Sequence, residues 1–391
     1  MTNKIEAIEA FVFGVSARTN WIFVKVTSED GLYGWGEASL NGYEDFVKLA
    51  VERRAEDLRG MLEDVARRLL VPQPHAAGGR AWHAASSAIE QALNDIWGKR
   101  AGRPAHDYFG PSQRQEILLY ANINRATRDR SPEGCAKQAT DALNGGFAAV
   151  KIAPFDGVLP SGIAKAEMDD SERNRRITMG VERVAAIRGA IGVETALLID
   201  CHWRLGADDV EALVAQLAPL RPHWIECPMS EHGDALAGWA KLRKLAAPHG
   251  IITSGCETIV SARDVGIFGA AESHDVLMPD VKYCGGIAGI HAIANAAVGF
   301  SMAIAPHNPT GPVCTAASAH ACVGLSNFSW LELQVGETPL YDSVVQDCGH
   351  QIVDGKYHLS GAPGLGIDLD LKSLANHPGV CATDGLDYRL G

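Results

Sequence analysis

The sequence has no long basic run, no apolar segment at its start and no regular cysteine spacing. Its formal net charge is −12 over 391 residues, and Lys and Arg occur in runs no longer than a pair. A nucleic-acid partner is therefore not expected, because nucleic-acid-binding surfaces concentrate positive charge. The nine cysteines are scattered without a pairing rhythm, so we expect reduced thiols in a cytoplasmic protein rather than a disulfide framework.

Neither export nor a membrane-spanning helix is expected from the sequence. Lys4, Glu6 and Glu9 lie where a signal peptide would need an uninterrupted apolar core. The uncharged stretch 287–306 contains polar residues, and Gly299 lies inside it. This stretch therefore fits a helix followed by a strand better than a bilayer span.

The larger, later part of the sequence alternates strand-like and helical patterns. From residue 117 onward we count eight short apolar runs typical of strands, separated by seven stretches with helical spacing. This alternation predicts an α/β fold, a (β/α)7β TIM-like barrel. No Gly-rich phosphate loop follows the first strand, which disfavours the competing architecture, an open doubly wound sheet. The strand-like runs are 117–122, 148–153, 196–200, 223–226, 251–254, 275–278, 301–305 and 329–333. The helical patterns are 131–143, 181–190, 208–217, 235–246, 261–268, 287–298 and 315–323.

The first part of the sequence, residues 1–114, predicts a smaller α+β domain in which strands precede helices. The barrel then occupies 115–335. The tail at 336–391 is rich in turn-forming residues and is expected to fold back on the first domain. The strand patterns of the first domain are 10–13, 21–26 and 33–37, and its helical spacing covers 44–70 and 81–99.

Three consecutive strand-like runs each end on an acidic residue, namely Asp200, Glu226 and Glu257. The carboxyl ends of parallel barrel strands meet at one mouth, so we expect the three carboxylates to lie close together. Their mutual repulsion would be relieved by a hard divalent cation with oxygen ligands. Mg²⁺ is the candidate. Taken singly, each acid could equally cap a helix or pair with a lysine.

Short motifs in unbroken order over nearly the whole chain resemble the enolase superfamily, specifically its mandelate-racemase-like branch. The resemblance implies a capping α+β domain over a (β/α)7β barrel and Mg²⁺ on the three strand-end carboxylates. It also implies abstraction of the proton next to a substrate carboxylate by a lysine or histidine base. The motifs are Trp35-Gly36-Glu37-Ala38, residues 197–200, Trp224-Ile225-Glu226-Cys227-Pro228, residues 254–258, Met278-Pro279-Asp280, Cys284-Gly285-Gly286-Ile287, Ala305-Pro306-His307-Asn308, Trp330-Leu331-Glu332 and residues 361–366.

The resemblance assigns roles to three further residues at the barrel mouth. His307 is implied to be the general base, with Asp280 fixing its tautomer and raising its basicity. Glu332 is implied to hydrogen-bond the substrate carboxylate, for which it would have to be protonated or share a proton. The alternative for His307 is a loop histidine without a catalytic role. The alternative for Glu332 is a structural salt-bridge partner.

The second barrel strand favours one-base chemistry. Racemases of this branch carry Lys-x-Lys there, whereas this chain has Lys151-Ile152-Ala153. A second base on the opposite face of the substrate is therefore missing, which disfavours racemisation. Lys151 either neutralises the substrate carboxylate or is structural, and both alternatives stay open.

His202 lies two residues beyond Asp200, and a continuing strand would point both side chains to the same side. Acid-sugar dehydratases of this branch resemble this pattern, with the histidine protonating the departing β-hydroxyl. The alternative is a histidine that packs on Trp203 and binds nothing.

Substrate contacts are expected from loops around the barrel mouth. In this branch two loops of the capping domain, here about 15–20 and 41–44, close over the barrel. The long, charged loop 155–176 is either a lid or an oligomer contact. The candidate substrate-binding residues are Arg18, Asn20, Asn41, Tyr43, Asn122, Asn124 and Arg204.

The expected function is that of a hydro-lyase, a Mg²⁺-dependent dehydratase of an aldonate-type sugar acid. It would remove the α-proton and the β-hydroxyl and yield a 2-keto-3-deoxy acid. The alternatives are a racemase or epimerase of a 2-hydroxy acid and a barrel that binds a metal or ligand without turnover. The expected partners are a small-molecule sugar acid and copies of the same chain, as a dimer or octamer, with no nucleic acid and no membrane.

Overall fold

The computed structural model describes residues 3–70, 79–159, 168–346 and 349–379. The chain begins with an antiparallel sheet of β1 (Ile5–Gly14), β2 (Asn20–Ser28) and β3 (Tyr33–Glu37). A turn between β2 and β3 is closed by a hydrogen bond from Gly31 N–H to Ser28 O, and Gly31 has a φ of +81° that favours glycine.

Three helices follow, α1 (Glu44–Leu58), α2 (Glu63–Leu69) and α3 (Gly79–Ala101). Helices α1 and α3 pack on the sheet, and α2 packs on α3. The helical pattern predicted over 44–70 is thus divided, and Gly60 lies at the break with a φ of +73°. Helix α3 runs so close to β3 that a Cβ on Gly36 would lie 1.8 Å from Ala88 O. Glycine at this position therefore sets the distance between helix and sheet.

The barrel has eight parallel strands and seven helices among the described residues, as the sequence predicted. The first strand pairs with the last and with the second, and the remaining neighbours follow in chain order. The seventh strand and the segment leading into the eighth are connected by a backbone hydrogen bond, in which Ile304 O accepts from Ser329 N–H at 2.8 Å. The strands are β4 (Glu116–Asn122), β5 (Ala149–Ile152), β6 (Ala196–Asp200), β7 (Trp224–Glu226), β8 (Ile252–Gly255), β9 (Val276–Leu277), β10 (Ala303–Ile304) and β11 (Leu331–Gln334). The helices are α4 (Pro132–Asn144), α5 (Asp170–Ile191), α6 (Val210–Leu217), α7 (Ala235–Ala246), α8 (Val265–Ala270), α9 (Gly286–Val298) and α10 (Pro312–Val323).

Helix α5 corrects the prediction for the loop after β5. The helix begins at Asp170 rather than near residue 181, and Asp169 caps it by accepting from Glu172 N–H at 2.8 Å. The loop predicted over 155–176 therefore ends in helical residues, while 160–167 lie outside the described residues. Within the ranges that the structure describes, no helix is both long and apolar enough to cross a bilayer.

Two buried glutamates of the first domain cap barrel helices. Glu37 accepts from Gly311 N–H at 2.8 Å and from Cys314 N–H at 2.9 Å, at the start of α10. Glu90 accepts from Ile287 N–H at 2.8 Å, at the start of α9. The unpaired N–H groups of a helix N-terminus favour a carboxylate, so these contacts fasten the first domain to the barrel.

The tail contacts both the barrel and the first domain. It contains α11 (Leu340–Ser343), β12 (Val345–Gln346), β13 (Gln351–Val353), β14 (Lys356–His358) and β15 (Asp368–Leu369). Strand β14 pairs antiparallel with β4. Asp368 accepts hydrogen bonds from Tyr33 Oη at 2.6 Å and Trp35 Nε1 at 2.7 Å. The division of the chain at residues 114 and 335 stays a prediction.

Three imidazoles meet where the tail contacts the barrel. His106 Nδ1 lies 2.9 Å from His320 Nδ1, and the His320 and His350 rings are 5.8 Å apart. Burial lowers the pKa of all three, and that of His320 falls well below its ordinary value of 6.5. Asp107 Oδ1 lies 3.6 Å from His106 Nε2.

We expect acid to destabilise the fold through this cluster. Below about pH 6.5 the unfolded chain protonates these imidazoles while the folded chain resists. The free energy of unfolding therefore decreases as the pH falls below 6.5. The decrease is up to about 1.4 kcal/mol per pH unit for each imidazole. The free energy of unfolding, measured with urea at pH 7.5 and at pH 5.5, should decrease less between these two pH values in His320→Gln than in the wild type. The exposed His249→Gln is the control, and equal losses in all three proteins would contradict the prediction.

Candidate active site

The three strand-end acids lie at one mouth of the barrel. Asp200 and Glu226 are the last residues of β6 and β7 and are register partners, and Glu257 follows β8 by two residues. Ligand atoms of Glu226, Cys227 and Glu257 all lie within 4.8 Å of one another. Asp200 is not part of that close group, and its Oδ2 lies 2.8 Å from His202 Nε2.

Lys151 is buried among these carboxylates. Its Nζ lies 2.7 Å from Glu226 Oε1, 2.7 Å from Glu332 Oε1 and 3.7 Å from Asp200 Oδ2. Burial alone would lower the pKa of Lys151, but the surrounding carboxylates raise it well above its ordinary value. Lys151 is therefore held in its charged form by the three carboxylates that it contacts.

The carboxylates outnumber the cationic groups around them. One ammonium is shared among three carboxylates, and the Glu257 carboxylate is in contact with His307 Nε2 at 3.4 Å. Burial raises the pKa of Glu226 well above its ordinary value, because Lys151 offsets the burial only in part. An excess of buried carboxylate oxygens fits a hard divalent cation.

His307 and Asp280 form a hydrogen-bonded pair on neighbouring strand ends. His307 Nδ1 lies 2.8 Å from Asp280 Oδ2, which also contacts Lys282 Nζ at 3.0 Å. Burial by itself would lower the pKa of His307. The nearby carboxylates of Glu257, Glu332 and Asp280 have the larger combined effect and raise that pKa above its ordinary value. With Nδ1 donating to Asp280, Nε2 is the ring nitrogen directed toward Glu257 and able to accept a proton.

Glu332 is surrounded by hydrogen-bond donors and one ammonium, and its expected contact with the substrate carboxylate stays a prediction. It accepts hydrogen bonds from Asn122 Nδ2 at 2.6 Å and Asn308 N–H at 2.8 Å, in addition to its contact with Lys151. Burial would raise the pKa of Glu332, but Lys151 and His307 outweigh burial and lower it. Glu332 is therefore held as a carboxylate, since all of these neighbours donate hydrogen bonds or positive charge.

His202 reaches the site by a different route from the one predicted. The strand ends at Asp200, and His202 and Trp203 have φ values of +47° and +54°, so a left-handed turn replaces the expected strand continuation. The turn is closed by His202 N–H donating to Asp200 Oδ1 at 2.9 Å. The His202 side chain nevertheless contacts Asp200, with Nε2 2.8 Å from Oδ2.

The predicted substrate-binding residues divide into several groups. Arg18 is exposed on its loop, whereas Asn20 is buried and donates to Glu44 Oε1 at 2.8 Å. Asn41 accepts from the Asn20 N–H at 3.1 Å, and Tyr43 packs near Phe46.

The remaining candidates lie on barrel loops. Asn122 contacts Glu332 inside the site. Asn124 accepts from Ala153 N–H at 2.6 Å, and Arg204 donates to Val158 O at 2.8 Å. Asn124 and Arg204 thus have backbone partners in the loop after β5.

Arg125 and Glu337 tie the first loop of the capping domain to the barrel, and the sequence reasoning missed them. Glu337 accepts from Ser16 Oγ at 2.9 Å and from Thr19 Oγ1, and Arg125 Nη1 lies 2.9 Å from Glu337 Oε2. Arg125 also donates to Pro309 O at 3.0 Å, two residues beyond His307. The only available signal was the position of each charge just after a barrel strand.

Two family models match the chain in tandem. The description "Mandelate racemase / muconate lactonizing enzyme, N-terminal domain" covers residues 8–110, and "Enolase C-terminal domain-like" covers residues 134–373. The chain belongs to the enolase superfamily. The family and the fold expected from the sequence motifs are thereby confirmed.

Curated relatives of this superfamily member include dehydratases. D-galactonate dehydratase of Xanthomonas axonopodis pv. citri (strain 306) is 31% identical over 369 residues, which cover 92% of this chain and 91% of the relative. D-galactonate dehydratase of Ralstonia pickettii (strain 12J) is 30% identical over 359 residues, covering 90% and 89%.

Solved structures share the fold over almost the whole chain. A putative dehydratase from Zymomonas mobilis ZM4 has a TM-score of 0.80 at 25% identity, covering 95% of this chain and 98% of that chain. A putative L-alanine-DL-glutamate epimerase from Burkholderia xenovorans strain LB400, bound to magnesium and fumarate, has a TM-score of 0.83 at 22% identity, covering 97% of both chains. At this identity the epimerase demonstrates the common fold alone.

Proposed function

We propose that this enolase-superfamily member is a Mg²⁺-dependent dehydratase of an aldonate-type sugar acid. It would abstract the proton α to the carboxylate and eliminate the β-hydroxyl to give a 2-keto-3-deoxy acid. The observation that carries the proposal is a pair of imidazoles at one barrel mouth, each against a strand-end carboxylate. His307 Nε2 lies 3.4 Å from Glu257 Oε2, and His202 Nε2 lies 2.8 Å from Asp200 Oδ2.

The relatives support the reaction class. The curated relatives at about 30% identity are named dehydratases, and the chain is an enzyme of the dehydratase type. Their named substrate, D-galactonate, is a monocarboxylic sugar acid. We therefore take aldonates as the substrate class of this chain, with D-galactonate as the first compound to test.

Asp200, Glu226 and Glu257 would hold the cation through their carboxylate oxygens. When bound, Mg²⁺ supplies positive charge that offsets the charge developing on the substrate carboxylate. Lys151 adds a fixed ammonium beside these oxygens. Glu332, which contacts Lys151 and accepts hydrogen bonds from Asn122 and Asn308, helps to hold that ammonium in place.

His307 is the proposed base. Asp280 accepts the Nδ1 proton of the ring, which leaves the Nε2 lone pair free to take the α-proton of the substrate. The resulting imidazolium is stabilised by Asp280 on one side and Glu257 on the other. The C–H bond breaks, and its electron pair is delocalised into the substrate carboxylate. When the C–O bond breaks, that pair forms the double bond to the β-carbon.

His202 is the proposed acid. Its proton goes to the β-hydroxyl as the C–O bond breaks, and water leaves. His307 gains one proton and His202 loses one, so the proton balance closes on the enzyme. The enol that remains tautomerises to the keto acid. Ala153 offers no second base on the opposite face of the substrate, so elimination is favoured over racemisation.

The test is a screen of purified protein with Mg²⁺ against aldonic and aldaric acids, detecting the keto product as its semicarbazone. A keto product from one or more aldonates is the expected result. Deuterium at the α-carbon of recovered substrate with no keto acid would replace the proposal with a racemase or epimerase. Metal-dependent stabilisation without product or exchange from any acid would replace it with a binding protein.

The proposal includes a cytoplasmic location and a homo-oligomer, either a dimer or an octamer. Light scattering after size exclusion would distinguish these two assemblies from a monomer.

A further inference from the structure

Glu231 is a buried carboxylate that the proposed mechanism does not use. It lies in the loop after β7 and is 5% exposed. Its Oε1 accepts from Cys256 N–H at 2.5 Å and lies 3.7 Å from Cys227 Sγ. The Trp203 side chain is also close enough to act on the pKa of Glu231 as a hydrogen-bond partner, which lowers it against the larger, opposing effect of burial. One carboxylate thus interacts with residues of three different segments of the chain.

Each of these three residues lies within three positions of one of the proposed cation ligands. Trp203 lies three residues after Asp200, Cys227 directly follows Glu226, and Cys256 directly precedes Glu257. Glu231 therefore contacts every segment that carries a strand-end carboxylate.

The same three residues have left-handed backbone conformations. The φ values are +54° at Trp203, +43° at Cys227 and +66° at Cys256. Non-glycine residues rarely adopt such angles and keep them only where the surrounding structure holds them. The shared contact with Glu231 is one interaction that holds all three turns.

Backbone hydrogen bonds connect the turns to one another. Trp203 N–H donates to Cys227 O at 2.6 Å, and Cys227 N–H donates to Ser254 O at 3.1 Å. Strand β8 also leaves room for the carboxylate, because a Cβ on Gly255 would lie 2.4 Å from Glu231 Oε1. Displacement of Glu231 would therefore affect all three turns together.

A second cation among Glu231, Cys256 and His274 is a competing explanation. Their ligand atoms lie within 4.8 Å of one another. However, both ring nitrogens of His274 already have neighbours, with Nδ1 2.8 Å from Ser273 Oγ and Nε2 3.7 Å from Cys256 Sγ. The Glu231 oxygen is also already engaged by the Cys256 N–H.

We propose that Glu231 is a positioning residue that fixes the turns carrying Asp200, Glu226 and Glu257. It thereby sets the affinity of the barrel mouth for a divalent cation without binding the cation itself. The inference rests on the proposed function in taking these three carboxylates as the cation ligands.

The experiment measures Mn²⁺ binding to the full chain by electron paramagnetic resonance, with Mg²⁺ as competitor and without substrate. Glu231→Met removes the acceptor at similar volume, and Glu231→Gln keeps an oxygen that can accept the Cys256 N–H. Glu63→Met is the matched control, since Glu63 is equally buried in the first domain, where it accepts from Trp97 Nε1 at 3.0 Å.

We expect Glu231→Met to weaken Mn²⁺ binding on the order of 10- to 100-fold, as is typical when a residue that orients metal ligands is lost. Glu231→Gln should restore most of the affinity. Glu63→Met should lower the melting temperature but leave Mn²⁺ affinity unchanged. Gly255→Ala, which keeps Glu231 but crowds its carboxylate, should reproduce the loss and serves if Glu231→Met does not fold.

Several outcomes would overturn the inference. The first is wild-type Mn²⁺ affinity in both Glu231→Met and Gly255→Ala, and the second is equal weakening in Glu231→Gln and Glu231→Met. The third is two Mn²⁺ ions per wild-type chain, of which Glu231→Met loses one. The fourth is no Mn²⁺ binding by the wild type. If the wild type binds one ion and Glu231→Met weakens it while no acid is dehydrated, the positioning role stands and the proposed function fails.

Discussion

His307→Asn is expected to slow both formation of the keto acid and exchange of the α-proton with solvent. Both need the same C–H bond to break, and His307 Nε2 is the proposed acceptor of that proton. Loss of a general base lowers the rate by about 10²- to 10⁴-fold. Product assays, with proton NMR of substrate recovered from D2O, measure the two processes on one sample.

The replacement is chosen to leave the surroundings of His307 intact. An asparagine amide can still donate to Asp280, which keeps Lys282 as a second partner at 3.0 Å. His249→Asn, on the exposed end of the segment after α7, controls for loss of any histidine. Exchange at the wild-type rate in folded His307→Asn would mean that another group removes the proton.

His202→Asn is expected to separate the two halves of the reaction. The keto acid should fall by about 10²- to 10⁴-fold, because the departing hydroxyl loses its proton donor. Exchange of the α-proton should persist, since His307 and Asp280 are unchanged. NMR of substrate recovered from D2O should therefore show deuterium at the α-carbon with little product.

A metal-binding control decides how this variant is interpreted. His202 Nε2 contacts Asp200 Oδ2 at 2.8 Å, so its replacement could weaken the cation site instead of removing an acid. Mn²⁺ affinity close to the wild-type value, together with the exchange described above, supports the acid role. Loss of neither product nor exchange would contradict it.

The sequence was informative wherever function depends on local patterns. A buried parallel strand is a short apolar run, and its last residue points into the barrel mouth, so Asp200 and Glu226 were predictable from the chain alone. The same reasoning located His307 and Asp280 just past neighbouring strands, and they form a hydrogen bond in the structure. Their roles in the reaction stay predictions.

Helix boundaries were less predictable where charge hides the apolar face. Helix α5 begins with a charged segment in which Arg173, Arg175 and Arg176 are paired with acidic side chains. Arg173 reaches Asp209 across a gap of 36 residues. The local periodicity was therefore weak before residue 181. The Asp169 cap, with Glu172 three residues later, was a signal that could have located the start.

The turn at His202 depended on contacts between strands. Extrapolating the alternation of β6 gave a side chain in the site but the wrong backbone path. The hydrogen bond from Trp203 N–H to Cys227 O holds the left-handed turn, and Cys227 belongs to the next strand segment. No pattern within five residues of Asp200 contains that information.

The chain itself, through the order and spacing of its apolar runs, determined a (β/α)7β barrel with a capping domain, the family, and the acids and imidazoles gathered at one mouth. Only the tertiary structure decided the ionisation of Glu332, the burial of Lys151 among three carboxylates, and the contacts of Glu231 with three separate turns. The physical reason is range. Periodicity in an apolar run is set by neighbouring residues, whereas the charge state and orientation of a buried side chain depend on partners that only folding brings within 4 Å.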